Sequence, residues 1–372
     1  MSANATALAV IELTEEIASY VQQAISAIEV NGHFEETRFP AHWSLDLLSD
    51  CNRMARVITD AYDNQEKTSW SVHDYAQELK TKANGMNDAV EEALKKKFPP
   101  MNKHMTLSSS PLLITDKDGF VLVWYLPEAL SPTRKKKMWN MLVKLGPAIQ
   151  APKEGDNWRT SLEHYYDLQD PQYKQGSVSM SPAWFPQAHH TAEYKLIPAK
   201  CLARDGSPAE KWLRDMQETN ALLGAVLRVI NPKVYEQGMA DLVKISKSPD
   251  DVENHDRVKD ILGFWASPYH GLSVMCNRQT PVHRDVHSPK DSMEMLATIG
   301  TYLDGQITLP SLNHMLHYPA GTIVALGGRI IPHSAKANGD RACIAYYMRE
   351  TILTRLGSLK EHTWFDQNNF YD

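Results

Sequence analysis

The chain has 372 residues, 42% apolar and 23% charged, with a net charge of −6. Such a chain builds a sizeable core and is not disordered overall, and its acidic balance argues against a general nucleic-acid coat while leaving local basic grooves open. Cys51, Cys201, Cys276 and Cys343 stand far apart with no CxxC pair, against a disulfide scaffold or structural zinc site and in favour of a reducing, intracellular compartment.

No run of about 18 apolar residues occurs, so no membrane span is expected. Glu12, Glu15 and Glu16 near the start are not expected in a secretory leader. Leu13, Ile17, Tyr20, Val21, Ala24 and Ile28 recur at helical spacing and predict an amphipathic first helix. Residues 40–50 give no clear pattern. The stretch NDAVEEALKKKFPP (87–100) predicts a helix with Asn87 as cap and Pro99-Pro100 as stop. Its acidic residues come first and Lys95, Lys96 and Lys97 last, as the helix dipole prefers, so this lysine run reads as a solvated helix end.

The period then changes. PLLITDKDGFVLVWYLP (111–127) is two apolar stretches around Asp116-Lys117-Asp118-Gly119, a β-hairpin signal. SPTRKKKMWNMLVKLG (131–146) predicts a helix capped by Ser131, with Pro132 first and Gly146 at the stop. Arg134, Lys135, Lys136 and Lys137 sit at its N-terminal end, against the dipole, which mildly favours a phosphate contact, although plain solvated surface is the leading reading. Residues 150–200 are polar and aromatic with little periodicity. SPAWFPQAHH (181–190) reads as a functional loop or lid, and its adjacent His189 and His190 point apart and are not expected to ligate a metal. Ser207-Pro208 opens a helix running to Ile230, broken by Asn231-Pro232.

From Ser273 onward the chain reads as strands: 273–278, 294–303, 306–310, 315–319, 322–327 and 341–350, most of them separated by Gly- and Asn-containing turns. Many short strands this close together imply a sandwich or jelly roll. His314 and His317 flank one of them and are expected at the surface or rim.

The segment TPVHRDVHSPKD (280–291) places His283 and Asp285 two residues apart on the edge of a strand, and hence on one face. A third ligand must come from elsewhere. His333, in RIIPHSAK, follows Asp285 by 48 residues. Two histidines and one carboxylate on one face leave the opposite positions open, as in the facial triad of non-haem Fe(II) oxygenases. His33-Phe34-Glu35 also fits an HxE pattern but has no strand context, and His287 beside the triad reads as a supporting or surface residue. A dicarboxylate co-substrate needs its distal carboxylate held by a planar two-point fork, which arginine supplies. Arg341 begins RACIAYYMR, where 341, 343, 345, 347 and 349 alternate onto one face, so Arg341, Cys343, Tyr347 and Arg349 are expected to look into one cavity.

The stretch 273–350 resembles the double-stranded β-helix core of Fe(II)/2-oxoglutarate dioxygenases, whose pattern is HxD, about fifty residues, His, then Arg with Ser or Thr two residues on. Cys343 departs from that last position, which leaves open whether Arg341 or Arg349 is the main carboxylate anchor. Within that superfamily the chain is most similar to the ten-eleven-translocation (TET)/base-J-binding-protein (JBP) branch, in its small fungal or protist form. NRQTPVHRDVHS, with Arg278 five residues before His283, the 48-residue spacing and the upstream hairpin carry this likeness over 105–350.

The resemblance implies an α+β protein with a jelly-roll core at about 264–350, inside a dioxygenase domain at 105–355. A mostly helical region at 1–104 would precede it and a tail at 356–372 would follow. It implies Fe(II) on His283, Asp285 and His333, and 2-oxoglutarate, used with O₂, near Arg341, Arg278, Cys343 and Arg349. The substrate would be a methylated DNA base such as 5-methylcytosine, with Tyr347 stacking on the flipped base and 134–137 on the phosphates, in the nucleus. A hydroxylase of a protein side chain or small metabolite, then cytoplasmic, is the alternative on the same core, and a catalytically inactive binding module the third.

Overall fold

The computed structural model describes residues 3–32, 39–79, 88–186, 193–360 and 364–370, with side chains from residue 11 onward. His33-Phe34-Glu35, the Asn87 cap, His189 and His190 lie outside the described residues. Among the described residues the helices are α1 (Ala3–Asn31), α2 (Leu45–Asp63), α3 (Val72–Glu78), α4 (Asp88–Lys97), α5 (Pro132–Leu145), α6 (Pro208–Asp215), α7 (Gln217–Ile230), α8 (Pro232–Lys247), α9 (His255–Leu262) and α10 (Glu350–Arg355). The strands are β1 (Gln65–Lys67), β2 (Thr106–Ser108), β3 (Leu112–Thr115), β4 (Val121–Leu126), β5 (Gly176–Met180), β6 (Gly271–Cys276), β7 (Thr280–His283), β8 (Glu294–Gly300), β9 (Leu303–Leu309), β10 (His314–His317), β11 (Ile323–Leu326), β12 (His333–Asn338) and β13 (Arg341–Tyr347).

Two sheets form the α+β jelly-roll core. The larger runs β1-β3-β4-β11-β8-β13-β6-β5 and the smaller β2-β10-β9-β12-β7. Alternation along each strand sorts the side chains. Val274, Met295, Ala297, Ile323 and Ile344 turn outward, into a core shared with α1, α2, α5 and α7. Leu112, Val123, Val324 and Leu326 turn inward, against Ile307, Leu309 and Leu316 of the smaller sheet. The odd-numbered positions of β13, Arg341 and Cys343 among them, therefore face the smaller sheet.

The hairpin stands as expected, with Leu112 opposite Tyr125. Asp116 shapes its turn by accepting from the Asp118 and Phe120 amides, and its other oxygen takes the Val72 amide at the start of α3. Ser131 caps α5 through the Arg134 amide. The helix expected from Ser207 to Ile230 is two, α6 and α7, meeting at Met216. Asn231-Pro232 is both a stop and a start: Pro232 opens α8 and Asn231 accepts from the Val234 amide. In the unclear 40–50 region Ser44 caps α2, which buries Leu47, Leu48, Cys51, Met54, Ala55 and Ile58 at helical spacing. Residues 1–104 supply β1 to the larger sheet, and β2, just past that boundary, joins the smaller one. His314 is fully buried, not at the rim, where Asn102 and Ser108 hydrogen-bond its two ring nitrogens.

Candidate metal centre

The β7–β12 pair sets His283 directly opposite His333. Asp285 lies in the loop just past β7, and its amide donates to the Gly328 carbonyl at 3.0 Å. One ligand atom from each of the three side chains falls within 4.8 Å of the others. The His283 and His333 Nε2 atoms stand 3.6 Å and 3.4 Å from Asp285 Oδ2.

The tautomers follow from the backbone. His283 Nδ1 is 3.0 Å from the Pro281 carbonyl, and His333 Nδ1 is 3.0 Å from the Ile331 carbonyl. A carbonyl only accepts, so each Nδ1 carries the hydrogen and each Nε2 turns a lone pair to the shared centre. Burial, and then the neighbouring His333, hold the His283 pKa below the ordinary value. Burial pushes the Asp285 carboxyl up, but the two imidazoles beside it outweigh that and hold it well below the usual range. Two imidazole nitrogens oriented from behind and one carboxylate fit a divalent iron ion.

Glu294, which the sequence did not single out, completes the floor. It opens β8 on the inward face and is buried. Burial, then the Asp285 charge, push its carboxyl well above the usual range. Ser288 Oγ donates to Glu294 Oε1. Gly328 makes room for this contact, since a Cβ there would stand 2.9 Å from Glu294 Oε2 and 3.0 Å from Asp285 Oδ2.

Arg341 is buried on the inward face of β13. Its Nε donates to Thr298 Oγ1 at 3.1 Å and its Nη1 to the Arg278 carbonyl at 3.4 Å. The guanidinium lies 5.0 Å from the Tyr318 ring centroid and 5.8 Å from that of Tyr302. Cys343, two residues on, has its sulfur 3.9 Å from Tyr318 Oη. Arg278 donates to Met275 Sδ at 2.6 Å, while its buried Nε has no partner. Among the described residues neither arginine has a carboxylate partner. An arginine stays charged at any working pH, so two desolvated cations beside the triad fit a dicarboxylate. Arg349 lies beyond the end of β13, before α10, with its guanidinium 4.7 Å from the Tyr347 ring centroid. Strand alternation does not carry it to the Arg341 face, yet its charge acts on Glu294 of that inward face. Tyr347 does lie on that face, its hydroxyl 3.1 Å from Ser273 Oγ.

The aperiodic 150–170 segment supplies a second unanticipated group. Trp158 lies against His283 with ring centroids 4.6 Å apart. Arg159 stacks on Trp158 at 4.3 Å and reaches Asp285 Oδ1 at 3.5 Å. Arg278 approaches the same indole at 5.2 Å. An aromatic residue and a half-exposed cation thus border the triad.

Within the 134–137 run, Arg134 is a correction. Arg134 is buried and ion-paired, its Nε 2.8 Å from Asp50 Oδ2 and its Nη1 2.7 Å from Glu218 Oε1. Lys137 shares Glu218, and Lys135 donates to the Ala320 carbonyl. Met138 and Leu142 of the same helix pack on the outward face of the larger sheet, so α5 lies across that sheet from the triad. A guanidinium spent on two carboxylates is not free for a phosphate.

Residues 181–350 match the family model described as the oxygenase domain of the 2OGFeDO superfamily, Tet_JBP. That segment is a TET/JBP-type oxygenase domain. The protein is accordingly a 2-oxoglutarate-dependent dioxygenase, of a superfamily that uses Fe(II), 2-oxoglutarate and O₂. Among solved structures, one titled NgTET1 in complex with 5mC DNA aligns at 12% identity and a TM-score of 0.44, over 76% of this chain and 92% of that chain. A search of curated proteins by sequence returns no match. Among the described residues no helix is long and apolar enough to cross a membrane.

Proposed function

We propose that this dioxygenase oxidises the methyl group of a modified DNA base such as 5-methylcytosine. The observation that carries the reading is the juxtaposition, within a TET/JBP-type domain, of the His283–Asp285–His333 cluster and the buried, carboxylate-free Arg341. In this reading the three side chains hold the iron. Arg341 takes the far carboxylate of 2-oxoglutarate in a two-point fork, with Arg278 adding positive potential beside it. Cys343 replaces a hydroxyl with a weaker hydrogen-bonding thiol, so the guanidinium carries more of the recognition. Bound iron with 2-oxoglutarate and O₂ supplies the oxidising chemistry; the chain supplies orientation and a dry pocket.

A base inside a duplex cannot reach a metal between two sheets, so it has to be flipped out. Tyr347 and Trp158 are the aromatic faces near the centre, and Arg159 is the exposed cation at its border. These residues, rather than 134–137, are assigned to the nucleic acid. Residues 105–355 are taken as the catalytic body and 356–372 as its tail, with a nuclear location following from the DNA substrate. The net charge of −6 favours the second reading, a hydroxylase of a protein side chain or metabolite located in the cytoplasm.

The test is mass spectrometry of methylcytosine-bearing and unmethylated duplexes after incubation with the protein, Fe(II), 2-oxoglutarate and ascorbate. Hydroxymethylcytosine in the first duplex alone supports the proposal. Consumption of 2-oxoglutarate with no oxidised base favours the second reading.

A further inference from the structure

The residue between the two outer ligands of the HxD motif points away from the metal centre. Arg284 is buried, and every N–H donor it has is used. Its Nε and Nη2 form a two-point fork on Glu91 at 2.9 and 2.8 Å. Nη2 also donates to Tyr75 Oη at 2.7 Å. Nη1 donates to the Arg329 and Ile330 carbonyls, the former at 3.2 Å. Those carbonyls stand just ahead of His333, the third ligand. One guanidinium thus ties the strand end bearing His283 and Asp285 to the loop that delivers His333.

The carboxylate that neutralises it comes from α4, outside the segment that matches the family model. Leu94 of the same helix packs with Trp70, Tyr75 and Phe98, which holds Glu91 in place. We infer that Glu91 is a positioning residue of the metal centre, acting through Arg284 to fix the separation of the two histidines. Without Glu91 the buried cation has no counter-ion and has to move towards water. That movement pulls on both ligand-bearing loops. The inference rests on the assignment of His283, Asp285 and His333 as metal ligands.

The experiment uses Co(II) as probe on the full chain, reading its affinity by titration and its visible ligand-field absorption, beside thermal unfolding of the metal-free protein. His283→Ala is the control for the underlying assignment: if it binds Co(II) as the wild type does, the metal reading itself fails. With that control in order, Glu91→Gln and Glu91→Ala are expected to weaken Co(II) by about 10- to 100-fold, the usual effect of losing a group that orients a ligand, and to alter the absorption bands. The paired replacement Glu91→Met with Arg284→Met separates positioning from stability, because an apolar pair of similar volume restores packing but not the carbonyl contacts. It is expected to unfold near the wild-type temperature while still binding Co(II) weakly with altered bands, and it decides the matter if Glu91→Ala fails to fold. Wild-type affinity and bands in Glu91→Gln or in the paired variant would overturn the inference.

Discussion

His283 and His333 face each other across the β7–β12 pair, their ring centroids 4.3 Å apart, and each keeps its Nδ1 on the backbone carbonyl two residues behind it. The backbone therefore fixes the ring orientation before any metal arrives. Replacing His283, Asp285 or His333 by Ala should each abolish turnover and sharply weaken metal binding, since a three-ligand site has none to spare. His33→Ala should change neither. Equilibrium dialysis with Fe(II) under anaerobic conditions reads this directly. A His283→Ala protein that keeps its iron would show the site to be elsewhere.

Arg341 and Arg349 make different predictions because only one of them lies on β13. Arg341→Ala should raise the 2-oxoglutarate requirement by the equivalent of about 2–5 kcal/mol, the usual loss for a buried charge-assisted pair. Arg341→Lys should recover only part, because a point charge cannot reproduce the fork. Arg349→Ala should be milder. Titrating 2-oxoglutarate consumption in the three variants decides, and a larger defect in Arg349→Ala would exchange the two roles.

The placement of the candidate site was legible where sequence spacing and strand alternation act together: the HxD pair, the distant histidine, and Arg341 with Tyr347 on alternate positions of one strand. The hairpin and most of the late strands were legible for the same reason. What stayed hidden depends on tertiary neighbours. Arg134 looks like a solvated charge until Asp50 and Glu218, each 84 residues away, close on it. Glu294 reads as the polar start of a strand until burial places it against Asp285. Trp158 and Arg159 sit in a segment with no period at all. The α2 stripe obeys helical spacing and could have been read; α8 was hidden by the very Asn231-Pro232 pair that begins it.

The buried Arg134 turns a binding expectation into a stability expectation. Arg134→Ala should destabilise the fold by about 3–5 kcal/mol, because Asp50 is left buried and unpaired. The pH dependence has a definite sign. Burial pushes the Glu218 carboxyl up, but Arg134 outweighs it and the pKa is lowered in the folded state. A lowered carboxylate pKa contributes stability above its unfolded value, which is lost as the pH falls through the folded one. Urea unfolding of wild type should therefore show an acid-side loss that is smaller in Glu218→Gln. An unchanged midpoint in Arg134→Ala would return this arginine to the surface.

The last prediction concerns where phosphates meet the protein. Arg159 is stacked on Trp158 and only loosely paired with Asp285, so its guanidinium can turn to an incoming anion while Asp285 keeps the two imidazoles beside it. Each phosphate contact steepens the salt dependence of binding by about one unit in a plot of log affinity against log salt. Binding of a methylated duplex should therefore weaken in Arg159→Gln, with the slope reduced by about one. Replacing Lys135, Lys136 and Lys137 together should leave the slope where it is, since that helix lies across the larger sheet from the triad. Trp158→Ala should weaken binding without changing the slope, because an aromatic face contributes stacking rather than charge. Fluorescence anisotropy at four salt concentrations measures all three. A flattened slope in the lysine variant with none in Arg159→Gln would move the nucleic-acid path back to α5.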